Sequence, residues 1–155
     1  MMRSWIALAA VGLACLNVYK SLEQQSAQQD GSASLVKAAK AFTAQLDDAQ
    51  KQKALLEYSA KERVNWQFVP LPTRNGLPMM EMKPDQQKVA LELLRSTVSQ
   101  LGYDKARKIM SLEDVLRKLE GSGLDRRNPL KYYFTIYGKP ADSEHWGLSI
   151  EGHHL

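Results

Sequence analysis

Tyr132-Tyr133-Phe134-Thr135-Ile136-Tyr137-Gly138 is the stretch whose reading decides the fold. Its apolar residues recur with period two, which belongs to a strand and not to a helix. Tyr132, Phe134 and Ile136 fall on one face, and Tyr133, Thr135 and Tyr137 on the other. Gly138-Lys139-Pro140-Ala141-Asp142 reads as a loop, after which Trp146 opens a second alternating run. Two adjacent strands with such a loop form an antiparallel hairpin. Upstream of Asn128-Pro129 the pattern is mainly helical. Helices first and strands afterwards favour α+β over an alternating α/β fold. The expected architecture is a set of N-terminal helices packed on an antiparallel β-sheet.

Leu35, Ala39, Phe42 and Leu46 recur at helical spacing. Asp47-Asp48-Ala49-Gln50 has the form of an N-cap with glutamine three residues later, so a second helix is expected to run to about Tyr58. Arg63 to Val69 reads as a strand, because Val64, Trp66 and Phe68 alternate before Pro70 and Pro72 close it. Asn75-Gly76 is a turn signal. Pro84 suits the first position of a helix whose buried stripe is Val89, Ala90, Leu93, Leu94, Val98 and Leu101, with Gly102 as its stop. The next helix has Ala106, Ile109, Met110, Leu112, Val115, Leu116 and Leu119 as its apolar residues. Ser111 with Asp114 is placed to cap a restart inside it, and Gly121-Ser122-Gly123 ends it. The methionines read as packing residues.

The chain has 155 residues, 44% hydrophobic and 25% charged, an ordinary globular composition with room for one domain. Two of its 21 cations, Arg3 and Lys20, lie in residues 1–20, which hold no acid, so 19 basic and 17 acidic groups remain. That balance gives no reason to invoke nucleic acid, and Arg126-Arg127 beside Asp125 reads as a solvated loop. Residues 1–20 have a short basic start and an apolar run from Trp5 to Leu16, the pattern of a signal peptide or, uncleaved, of a membrane anchor. From Trp5 to Tyr19 a helix spans only about 22 Å at ~1.5 Å per residue, short of the ~30 Å hydrocarbon layer. Cys15 follows Ala14, but Gly12 stands where a lipidation site has a bulky aliphatic residue. As the only cysteine it permits no internal disulfide and no cysteine-based metal cluster. Residues 21–34 are a polar linker, leaving 35–155 as the domain. Secretion or an envelope location is expected, with membrane contact only through the N-terminal segment.

The candidate chemistry lies in Trp146-Gly147-Leu148-Ser149-Ile150-Glu151-Gly152-His153-His154-Leu155. On a regular strand Ser149, Glu151, His153 and Leu155 share one face, while Leu148, Ile150 and His154 share the other. Glu151 and His153 then converge, and a bulge at Gly152 would relax the rule. Three readings stand side by side. Glu151, His153 and His154 contribute ligands to a divalent metal, Glu151 and His153 act as an acid–base catalytic pair on a small-molecule ligand, or the group is a solvent-facing Glu–His pair plus a core histidine with its nitrogens satisfied. A metal site needs three or four protein ligands, and the one further histidine, His145, falls in a loop.

Several blocks occur in order along residues 35–155: Glu62 to Pro70, Gly76-Leu77-Pro78 with Glu81-Met82, Ile109 to Leu116, Tyr132 to Gly138, and Trp146-Gly147 through Glu151 to Leu155. In these the chain resembles the domain of unknown function 3500 family. The resemblance implies an often exported protein without an established activity. It also implies a chain that continues past Glu-Gly-His-His-Leu to further histidines, so that this sequence holds an incomplete domain and half of a metal site. The resulting expectation is a metal-dependent or acid–base enzyme of the envelope, and its alternative is a non-catalytic binding or structural module. Arg63, Asn65 and Trp66 are candidates to line the pocket, with the core as the alternative place for Trp66.

Overall fold

The computed structural model describes residues 31–141 and 144–155. Residues 35–155 form one compact unit. The signal or anchor, Cys15 and most of the linker lie outside the described residues; 31–34, expected as linker, are already helical. Among the described residues no helix is long and apolar enough to cross a membrane.

Helix α1 covers 31–44 of the described chain. Helix α2 (Asp48–Ala54) starts where the sequence places it: the Asp47 carboxylate accepts from Gln50 N at 2.9 Å, and Gln50 Oε1 accepts from Asp47 N at 3.2 Å. It ends after two turns, well short of Tyr58, because Leu55–Leu56 leave it as strand β1. Strand β2 is Leu77–Pro78, helix α3 Pro84–Thr97 and helix α4 Gln100–Glu120. Gly102 does not stop α3. Val98 is the C-cap of α3, and Ser99 caps α4 by accepting from Gly102 N at 3.2 Å. Nor does α4 restart at Ser111, whose hydroxyl donates to the Lys108 carbonyl at 2.8 Å within one continuous helix that ends on Gly121.

Strands β3 (Tyr133–Tyr137) and β4 (Gly147–Glu151) form the expected antiparallel hairpin, with Tyr133 opposite Glu151 and Tyr137 opposite Gly147. β4 occupies the whole of one edge of β3. The other edge is shared end to end by β2, antiparallel at Phe134 and Tyr133, and by β1, parallel at Ile136 and Tyr137. The domain is therefore α+β with a mixed sheet. The parallel pairing of β1 is a tertiary addition that no local pattern announces.

Phe134, Ile136 and Tyr132 face the helices and join Ala39, Phe42, Leu93, Leu94, Ala106 and Met110 in one apolar cluster. The rings of Phe42 and Phe134 stand 5.8 Å apart. Tyr133, Thr135 and Tyr137 are buried as well, because the segment between β1 and β2 lies over the second face of the sheet. Gly76, at φ 102°, comes so close to Thr135 that a Cβ there would sit 2.3 Å from its hydroxyl oxygen. Residues 63–69 are not a strand. Lys61–Val64 form a 3-10 turn, and Val64, Trp66 and Phe68 stand in solvent at 74, 61 and 54% exposure, so Trp66 is not a core residue.

Candidate functional site

β4 ends at Glu151, and the chain then turns, so strand alternation does not govern the two histidines. Gly152 and Leu155 exchange backbone hydrogen bonds across this turn. His154 adopts φ 60°, from which its N–H donates to the Phe68 carbonyl at 2.8 Å. The turn brings His153 and His154 together, ring centroids 4.1 Å apart, and sends Glu151 elsewhere. The Glu151 carboxylate accepts from Ser149 Oγ at 2.5 Å and lies 3.7 Å from Arg74 Nη1. Arg74, its side chain 3% exposed, also donates to the carbonyls of Gln67, Val69 and Gly152, tying the covering segment to the end of β4. Burial lowers the Arg74 pKa, and the nearby Glu151 charge opposes that shift.

His153 meets a partner that sequence reasoning missed. Its Nδ1 lies 2.5 Å from Glu113 Oε1, and Glu113 is buried inside α4. Arg127 Nη1 is 3.1 Å from the same nitrogen. A guanidinium only donates, so one ring nitrogen cannot serve both contacts as acceptor and donor. The shorter carboxylate contact, together with the engagement of Arg127 by Glu120, assigns the proton of Nδ1 to the bond with Glu113. Arg127 donates to Glu120 through Nη2 at 2.6 Å and Nε at 2.9 Å, and Nη1 lies 3.7 Å from Glu113 Oε2. Its hydrogen bond with Glu120 raises the Arg127 pKa and lowers that of Glu120. Arg127 is thus a buried ion-pair residue at 6% exposure and not part of a solvated loop. Tyr132 completes the cluster by donating its hydroxyl to the His153 carbonyl at 3.2 Å.

Glu113 had a sequence signal after all. Ala106, Met110 and Glu113 follow each other by four and three residues, and they are the buried face of α4. A carboxylate on a buried helical stripe needs a partner inside the fold. Of the apolar residues named for this helix, Ala106 and Met110 are buried, whereas Leu112, Val115 and Leu119 face solvent at 45, 48 and 77% exposure.

A small cavity of about 20 Å³ lies against His153, Glu113, Tyr132 and Arg74, with Pro70 and Leu71 at its side. That is room for one water molecule. Larger open clefts flank it: one of about 550 Å³ over Tyr133, Arg74 and Lys53, and one of about 260 Å³ over Arg74 and Glu151. His145 is remote from this cluster in its contacts, its ring 6.2 Å from that of Tyr58. Arg63 stacks over the same Tyr58 ring at 4.3 Å, whereas Asn65 lines the smaller of the two clefts. Among the described residues, no group of three or more His, Cys, Asp or Glu side chains is placed to hold a metal ion. His153, His154 and Glu151 do not fit a shared ion in this arrangement, since Glu151 is engaged by Arg74 and Ser149.

The fold and cluster define an α+β domain with a carboxylate-held histidine at the end of its sheet. The chain belongs to the DUF3500 family, described as a protein of unknown function, whose model matches residues 28–155. No curated protein and no solved structure matches the chain significantly.

Proposed function

We propose that this is an exported domain in which His153 performs acid–base work on a small-molecule substrate. The carrying observation is the 2.5 Å contact between His153 Nδ1 and buried Glu113 Oε1. A carboxylate on one ring nitrogen fixes the tautomer and orients the ring, leaving Nε2 with the lone pair that takes up a proton. Glu113 is here a positioning residue, and Arg127 holds it in place from the other oxygen. Glu151 pairs with Arg74 and lines the neighbouring cleft, in place of its expected role beside His153. The metal-dependent version is disfavoured, because Glu151 is held by Arg74 and Ser149 and does not join His153 and His154. Export is supported by the basic start and apolar run within residues 1–20.

The alternative, a non-catalytic binding module, is favoured by the clefts beside Arg74 being far larger than the cavity at His153. Nitrogen-15 NMR of histidine-labelled full chain, with hydrolysis of chromogenic esters and glycosides in parallel, tests the catalytic reading. His153 should carry its proton on Nδ1, and Glu113→Gln should disturb that preference. Any hydrolysis should fall about 100-fold or more in a folded His153→Ala variant. A proton on Nε2, or hydrolysis indifferent to His153→Ala, overturns the proposal.

A further inference from the structure

Arg74 separates the His153 cluster from a second, chemically different cleft. This cleft, about 260 Å³, is lined by Asn65, Gln67, Thr73, Arg74, Asn75 and Glu151, with Leu71 as its only large apolar group. The two charges among these residues, Arg74 and Glu151, face each other at 3.7 Å and cancel. What remains is a surface of amides and a hydroxyl that offers donors and acceptors in similar number. Such a lining selects neither an anion nor a cation, and it has no apolar wall for a flat hydrophobic ligand. It suits a neutral ligand rich in hydroxyl groups.

A peptide strand is a poorer occupant. Binding by strand addition needs a run of free backbone groups along an edge, and three successive carbonyls of the covering segment are already taken. Its Gln67 and Val69 carbonyls accept from Arg74, and its Phe68 carbonyl accepts from His154 N. Recognition here runs chiefly through the side chains that line the cleft. The residues alternating with Asn65 and Gln67 add a second feature: Trp66 and Phe68 stand outside the cleft, mostly exposed, with ring centroids 6.4 Å apart. Exposed aromatic faces with polar neighbours are suited to the apolar C–H faces of sugar rings, whose hydroxyls the amides then bind.

We infer that this cleft binds a neutral saccharide, one ring seated over Asn65, Gln67 and the Arg74–Glu151 pair and further rings lying on Trp66 and Phe68. The inference does not depend on His153 acting in catalysis.

The full chain is titrated with glucose, with the tetrasaccharides of β-1,4-linked glucose and N-acetylglucosamine, and with a sulfated glucan, read by backbone amide shifts and by tryptophan fluorescence. Millimolar binding of at least one neutral sugar, with shifts at 65, 67, 73 and 75, is expected. Asn65→Ala with Gln67→Ala should weaken it about tenfold. Trp66→Ala should weaken the tetrasaccharide several-fold while leaving glucose unchanged. Tighter, salt-sensitive binding of the sulfated glucan alone overturns the neutral-ligand assignment. Absence of shifts at these residues with every neutral sugar at tens of millimolar overturns the site. His153→Ala should bind as the parent does, which separates failure here from failure of the catalytic reading.

Discussion

Gly152 shows how a single residue sets the candidate site. A Cβ at this position would lie 2.1 Å from a ring carbon of Tyr132, so the backbone passes flat against that ring. The close approach lets the Tyr132 hydroxyl reach the His153 carbonyl and lets the turn aim His153 at Glu113. Gly152→Ala is therefore expected to cost about 1–3 kcal/mol, as overpacking a filled interior does. Urea denaturation measures it, and the same variant should displace the His153 ring resonances. Unchanged stability and unchanged His153 signals would count against the contact. The histidines themselves were visible in the sequence as candidates. Their grouping was not, because it depends on the turn that ends the strand after Glu151 and on the left-handed residue at 154 within it.

At the scale of elements, two helix starts are joined by a pair of buried glutamines. Gln50 and Gln86 are each the third residue of a helix, and each side-chain oxygen accepts from the backbone N of the preceding cap residue, Asp47 or Lys83. Their amide nitrogens donate to each other's oxygens at 3.0 and 2.7 Å and also to the carbonyls of Glu81 and Gln45. Removing either side chain leaves buried partners unsatisfied, at about 1–3 kcal/mol. Gln50→Ala and Gln86→Ala should each destabilise by that much. The double variant should lose less than the sum, by about 0.5 kcal/mol or more; strict additivity in thermal or urea unfolding would deny the pairing. The cap at Asp47 and Gln50 was legible because capping is local. The pairing across 36 residues was not. The same distinction explains residues 63–69. Their alternation is real, but Arg74 and His154 take carbonyls that a strand partner would need, so the segment covers the sheet without joining it.

Across the whole molecule, the hairpin tyrosines couple the fold to pH. Burial is the leading cause that raises Tyr132, Tyr133 and Tyr137 above the ordinary value of 10.0. The folded protein keeps those protons at pH values where the unfolded chain has lost them. Their contribution to stability is therefore whole below about pH 10 and is lost as pH rises through the raised folded values. Alkaline titration should show phenolate absorbance for these residues appearing together with loss of the folded circular dichroism. Free titration of all six tyrosines near pH 10 in a protein that stays folded would contradict this. By itself the sequence determined the α+β class, the hairpin, the first cap and the four helices' approximate places, since periodicity and capping act between near neighbours. Only the tertiary structure decided that β3 is covered on both faces, that Glu113 holds His153, and that Arg74 takes Glu151 away from it. Those arrangements rest on burial and charge pairing between residues distant in the chain, where the energy of a contact depends on what surrounds it and not on the spacing that leads to it.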